Sequence, residues 1–222
     1  MAGRFDNSLQ GKAYHFVNHS LRENPSAYPS FLQTMAKYHK YPWEAQALLH
    51  QNAPEGTTLV ASAAVWEKTF GTTVKDDATL IPLIRPKKQG GGYESYFVVD
   101  VSDTSLTKEQ AQNLQWQYHE EDKAAVLEEF GADADESITD AVAEAVQSAV
   151  EHEPQEMHFA YRAAVAYVVC ERLGIAHEAS DPRASMPPET MRMDRFLTNV
   201  NAYARGILAS VEKAVKVAQE VR

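Results

Sequence analysis

Cysteine is nearly absent from this 222-residue sequence, and the single Cys170 cannot form an internal disulfide, which fits a reducing compartment. Long apolar runs are missing too. No segment reaches the roughly 18 to 20 uninterrupted apolar residues of a membrane helix. The start, Met1-Ala2-Gly3-Arg4-Phe5-Asp6, carries no apolar secretory stretch. A soluble, cytoplasmic protein with no membrane partner is expected. Catalytic signatures are equally scarce. There is no Gly-x-Ser-x-Gly turn to expose a nucleophile, and Cys170 lies inside an apolar helical run, where a thiol is inert packing. Gly90-Gly91-Gly92 lacks the Lys-Ser/Thr of a phosphate loop and reads as a hairpin turn. The His-Glu-x-x-His pattern, which sets two imidazoles and a base around zinc, does not occur. His15 and His19 have its spacing, but Phe16 and Val17 follow His15 where Glu is needed. His152-Glu153 runs into Pro154 with His158 six positions on, and His119-Glu120-Glu121-Asp122 has no second His. The expectation is a protein without catalytic residues, metal or cofactor.

What is present is an ordinary globular composition, with 44% hydrophobic and 23% charged residues, enough for one generous domain or two small ones. The net charge of -10 is unevenly placed. Residues 1–104 hold ten basic and ten acidic side chains, whereas residues 105–160 hold two basic and fourteen acidic ones. Such a surface repels phosphates and attracts basic proteins. A well-solvated helical face and a docking face that mimics nucleic acid both remain open; Glu120, Glu121, Asp122, Glu128 and Glu129 are its candidate partner-binding residues.

Punctuation by Pro and Gly divides the chain. Residues 5–22 read as a helix ended by Asn24-Pro25. A second helix follows Tyr28-Pro29-Ser30 with the stripe Phe31, Leu32, Met35, Ala36 and Tyr38, and Tyr41-Pro42 breaks it before a third at 43–51. Residues 57–61 read as a strand, and 63–70 as a helix that Ser62 can cap and Gly71 can end. Strands are expected at 72–75 and 79–84 around an Asp76-Asp77 turn, and at 93–101. Pro82 cannot donate to a ladder, so its strand belongs at an edge or bulge. Beyond Thr104 only helices are expected: about 119–130, one capped by Asp135 or Ser137, a buried one at 156–173 ended by Gly174, and a long one at about 189–220. The fold class is α+β, a small mixed helix/antiparallel-sheet unit (1–104) followed by a mostly α-helical unit (105–222).

Read in order, the segments Phe31-Leu32-Gln33-Thr34-Met35, Tyr38 to Trp43, Trp66-Glu67-Lys68-Thr69-Phe70-Gly71 and Tyr96 to Thr104 resemble the N-terminal domain of the ArdC-type antirestriction proteins of plasmids and conjugative elements. Relatives join that domain to a zinc metallopeptidase-like domain. Here Ala164 to Cys170 resembles the relatives' ligand helix, but Ala163 stands where their zinc-binding Glu would be. The resemblance therefore implies a metallopeptidase remnant, as found at the front of large helicase- or methylase-containing conjugative proteins.

The ArdC N-terminal domain binds single-stranded DNA, so the resemblance implies the same partner here. Single strands need positive charge and aromatic faces. The candidates are Lys37, Lys40, Tyr41 and Trp43, then Lys68, then Arg85, Lys87 and Lys88 at the hairpin. Trp43 and Trp66 can equally fill the core, and Asp100 and Asp103 can cap a turn or hold a metal. Two positions depart from the relatives. Glu44-Ala45-Gln46 replaces Asn-Asn-Gln, and Asp76-Asp77-Ala78 replaces Gly-Lys-Gly. The expected function is a non-enzymatic, antirestriction-like accessory protein of a mobile element that binds single-stranded DNA. The alternatives are an acidic inhibitor of a host defence nuclease (antirestriction or anti-CRISPR), or a targeting module of a conjugative protein that forms a homodimer through its C-terminal helix.

Overall fold

The computed structural model describes residues 8–87, 89, 91–176 and 182–221. Lys88, Gly90 and the start of the expected 5–22 helix lie outside these. In chain order the first helices are α1 (Leu9–His15), α2 (Leu21–Glu23), α3 (Tyr28–Lys37) and α4 (Trp43–Asn52). Then come β1 (Val60–Ala61), α5 (Ala63–Phe70), β2 (Ile81–Pro86), β3 (Tyr93–Asp100) and α6 (Lys108–Gln112). The rest is helical: α7 (Lys123–Phe130), α8 (Ile138–Val150), α9 (His158–Leu173) and α10 (Met193–Val221). The fold is α+β. Among the described residues no helix is long and apolar enough to cross a membrane.

The chain forms two compact units: residues 1–19 with 44–115, and residues 20–43 with 116–222. The division differs from a cut at Thr104, because residues 20–43 belong with the helical half. The reason is packing. Tyr28, Phe31, Leu32 and Met35 of α3 are wholly buried, and α3 packs against α9. Each such side chain contributes roughly 1.5–3 kcal/mol when buried. Arg22 adds polar ties, donating to the carbonyls of Pro187 (3.3 Å), Pro188 (3.2 Å) and Met191 (2.6 Å).

In the first unit the strands are antiparallel in the order β1-β3-β2. Pro82 thus sits in an edge strand, where its missing N–H leaves no gap in the ladder. Trp66 of α5 packs on Ala61, Val99 and Val101 with Phe70 and Leu106 around it. Gly71 ends α5 at φ 63°, a left-handed conformation that only glycine adopts cheaply. Ser62 takes the N-cap backbone conformation but makes no side-chain cap bond.

Two strand expectations are corrected. Residues 72–75 form no strand; they make one bridge, Val74 to Thr104. Its backbone pairing is confined to that bridge, with the Lys75 N–H donating to the Asp103 carbonyl (2.9 Å) and the Ser105 N–H to the Thr73 carbonyl (3.0 Å), and Thr72 Oγ1 bonds Ser105 Oγ at 2.9 Å. The strand expected over 57–61 shrinks to Val60–Ala61. The N–H groups of Thr58 and Leu59 donate to the Asp100 carboxylate (2.6 and 3.1 Å) instead of a ladder. The first helix is also interrupted, since a π-helical turn at Phe16–Ser20 follows α1. The helix α6 was not expected; a Thr107–Gln110 capping box starts it.

The second unit is a helical bundle around α9, which packs on α3, α8 and α10. Tyr161 of α9 stacks on Phe196 of α10 with centroids 4.8 Å apart. The α10 stripe residues Phe196, Val200, Val211 and Val215 are buried within this unit. Ser137, not Asp135, caps α8 by accepting from the Asp140 N–H at 3.0 Å.

Candidate nucleic-acid interface

The β2–β3 hairpin carries the strongest basic and aromatic grouping. Its register pairs Pro82 with Phe97, Leu83 with Tyr96, Arg85 with Glu94 and Pro86 with Tyr93. Directly paired residues share a face and alternate along each strand. Arg85, Glu94, Leu83 and Tyr96 therefore lie on one face, and Pro82, Phe97, Pro86 and Tyr93 on the other. Arg85 Nε donates to Glu94 at 2.6 Å, and its guanidinium sits 5.2 Å from the Tyr96 ring centre. Burial raises the Tyr96 phenol pKa, partly offset by Arg85. The Lys87 N–H closes the hairpin on the Gly92 carbonyl at 3.0 Å, and Lys87 is exposed.

Phe97 is 54% exposed and Leu80 56%. Phe97 is left uncovered on β3 although the next residues Val98 and Val99 are buried, and Leu80 lies just before β2. Tyr93 is not free to stack. Its hydroxyl donates to Glu44 at 2.7 Å, and that bond, with burial, pushes its pKa up to about 12. Sequence reasoning missed Tyr96 and Phe97 because 93–101 read simply as the strongest strand. Their alternation was visible; which face is covered was not.

The other candidates divide between the units. Lys68 is exposed on α5, in the hairpin's unit. Lys37, Lys40, Tyr41 and Trp43 belong to the other one. There Lys37 Nζ lies 5.5 Å from the Tyr38 ring centre and Lys40 pairs with Glu212 at 2.8 Å. Tyr41 and Trp43 are half-buried. Trp66 is wholly buried, its indole N–H donating to the Val99 carbonyl at 3.1 Å, so it is core and offers no ring to a base.

Comparison with protein-family models, with curated proteins and with solved structures finds no match.

The acidic candidates also separate. Asp122 is wholly buried, accepting from the His119 N–H at 2.9 Å and from Gln219 at 3.4 Å. It is a structural cap and no part of an exposed docking face, which corrects its place among the partner-binding residues. Glu120, Glu121 and Glu128 are exposed, and Glu129 pairs with Lys213 at 3.2 Å. By residue count the first unit is close to neutral at -2 and the second carries -8.

Asp100 and Asp103 act on backbone. Asp100 accepts from Thr58, Leu59 and, at 3.0 Å, Ser102, and Asp103 accepts from Thr79. Among the described residues no three His, Cys, Asp or Glu side chains converge as metal ligands. In the second unit Tyr203 donates to Glu153 and accepts from His152 at 2.9 Å, while Asn199 donates to Glu153 (2.8 Å) and Tyr161 (3.1 Å). Burial and Glu153 raise the Tyr203 pKa. These groups are satisfied by one another and tie α10 to the end of α8.

Proposed function

We propose that this chain is a non-enzymatic accessory protein of a mobile genetic element, ArdC-like in its N-terminal part, that binds single-stranded DNA through the β2–β3 hairpin. One observation carries the reading: exposed Arg85 and Lys87 share a hairpin with the Tyr96 ring on the Arg85 face and the exposed Phe97 ring on the opposite face, so a DNA strand that uses both rings crosses the hairpin edge. Cations track the phosphate backbone and rings accept bases in any sequence. Glu94 competes for Arg85, so affinity is modest. In this reading the protein works in the cytoplasm, where its lone buried thiol stays reduced.

The test is fluorescence anisotropy with a labelled oligothymidine at low salt. Two phosphate contacts predict a slope of log K on log salt of about -1.4. Arg85→Ala with Lys87→Ala flattens that slope. Phe97→Ser weakens binding about five- to hundredfold if the ring stacks on a base. Absence of any binding at low salt removes the reading.

A second reading rests on the exposed Glu120, Glu121 and Glu128 of the acidic unit: contact with a basic face of a defence nuclease. It predicts co-elution with such a protein, lost when the three are changed to Gln. Unchanged co-elution sinks it.

A further inference from the structure

His15 and His19 lie in the first helical segment and are not among the hairpin residues named above. We propose that His15 and His19 form a two-histidine chelate for a divalent transition ion of the copper, nickel or zinc class. His15 is the last residue of α1, and His19 lies in the π-helical turn Phe16–Ser20 that follows it. Their ring centroids are 5.1 Å apart, with planes at 31°. An imidazole nitrogen sits ~2.0–2.1 Å from zinc, which places a ring centroid ~3.2 Å from the ion. Two centroids 5.1 Å apart then subtend about 105° at the ion, within the tetrahedral range. The centroid separation therefore matches that of two imidazoles on one ion.

Two further facts agree. π-helical turns are rare and recur at functional sites, and here the turn carries the second imidazole. Asn18, in the same turn, donates its side-chain N–H to the Tyr14 carbonyl at 3.2 Å, which helps hold the turn. His15 is half-buried and His19 exposed, so an ion reaches the pair from solvent. Among the described residues no third ligating side chain joins the pair. Neutral imidazole is the ligand form and suits copper, nickel and zinc. Binding is simple coordination, with no electron transfer.

The experiment is calorimetric titration of the untagged full-length chain with zinc chloride, and separately nickel chloride, at pH 7.5. The expected result is one ion per chain, with affinity at least tenfold weaker in His15→Gln and in His19→Gln. Circular dichroism checks that each variant keeps its helix content. Nickel also broadens nearby resonances, so selective loss of the residue 15 and 19 signals supports the site even if one variant folds poorly. No saturable binding below millimolar ion, undiminished affinity in the double variant, or broadening centred on other histidines overturns it. Oligonucleotide binding is measured apart from these readouts, so failure here leaves the hairpin reading untouched.

Discussion

His39 is 6% exposed, and it makes the second unit sensitive to acid. Its Nδ1 lies 3.2 Å from the Ala36 carbonyl, so that nitrogen carries the proton and donates. The ring meets Trp116 edge-on at 6.4 Å. Burial, reinforced by the Arg172 guanidinium and then by Lys40, lowers the His39 pKa from 6.5 to about 4; the Ala36 bond and Glu212 oppose this. Trp116 helps fix the cationic neighbour, since Arg172 lies over its ring at 4.1 Å and donates to its carbonyl at 2.8 Å. The folded form therefore refuses a proton that the unfolded chain accepts. Stability is complete above pH 6.5, falls as pH drops towards about 4, and changes no further from this group below that. At about 1.4 kcal/mol per pH unit the whole window is worth about 3 kcal/mol. Carboxylates titrate in the same range, so the comparison is between the chain and His39→Gln, in which they cancel. Urea unfolding of the second unit, followed through resonances of α9 at pH 7, 6 and 5, gives the gap between the two proteins. That gap shrinks by about 2 kcal/mol from pH 7 to 5. A His39 resonance that titrates near 6.5, or parallel stability profiles, refutes the account.

Three shorter predictions concern groups whose roles the fold makes plain. Trp66→Phe leaves the Val99 carbonyl without its donor and lowers stability by about 2 kcal/mol, read as a lower urea midpoint, without changing oligonucleotide affinity. A shift under about 0.5 kcal/mol contradicts the packing role. Asp100→Ala strands the N–H groups of Thr58, Leu59 and Ser102. It costs about 3 kcal/mol in thermal or urea unfolding, and Asp100→Asn, which keeps one acceptor oxygen, costs less. Burial pushes the Cys170 thiol up to about 11, so a chromogenic disulfide reagent at pH 8 labels it only after denaturation; rapid labelling of the native chain would falsify that.

Much of the local structure was legible because its signals are short-range. Gly71, Gly131 and Gly174 end helices at φ 63°, 70° and 68°, as glycine after an apolar run predicts. Pro82 announced an edge strand, and the dense apolar run of 156–173 announced the buried helix. Other features were out of reach. Asp122 reads as one acid among three, yet only the Gln219 side chain from α10 and the His119 backbone reveal that it turns inward. Thr72 to Lys75 has strand composition, but it meets only the short segment 103–105, far along the chain, and its pairing stops at the single Val74–Thr104 bridge. The candidate interface was half legible. Arg85 and Lys87 stood out by charge, whereas the exposure of Phe97 depends on what fails to cover it.

Residue order alone determined where helices stop, which strand lies at an edge, and where the acid accumulates, because capping, proline's missing N–H and charge are properties of neighbours in sequence. Tertiary structure decided that Trp66 is core, that Phe97 is not, that residues 20–43 join the helical half, and that Asp122 is a cap. Burial is set by chain segments far apart in sequence, and no local pattern states which of them will meet.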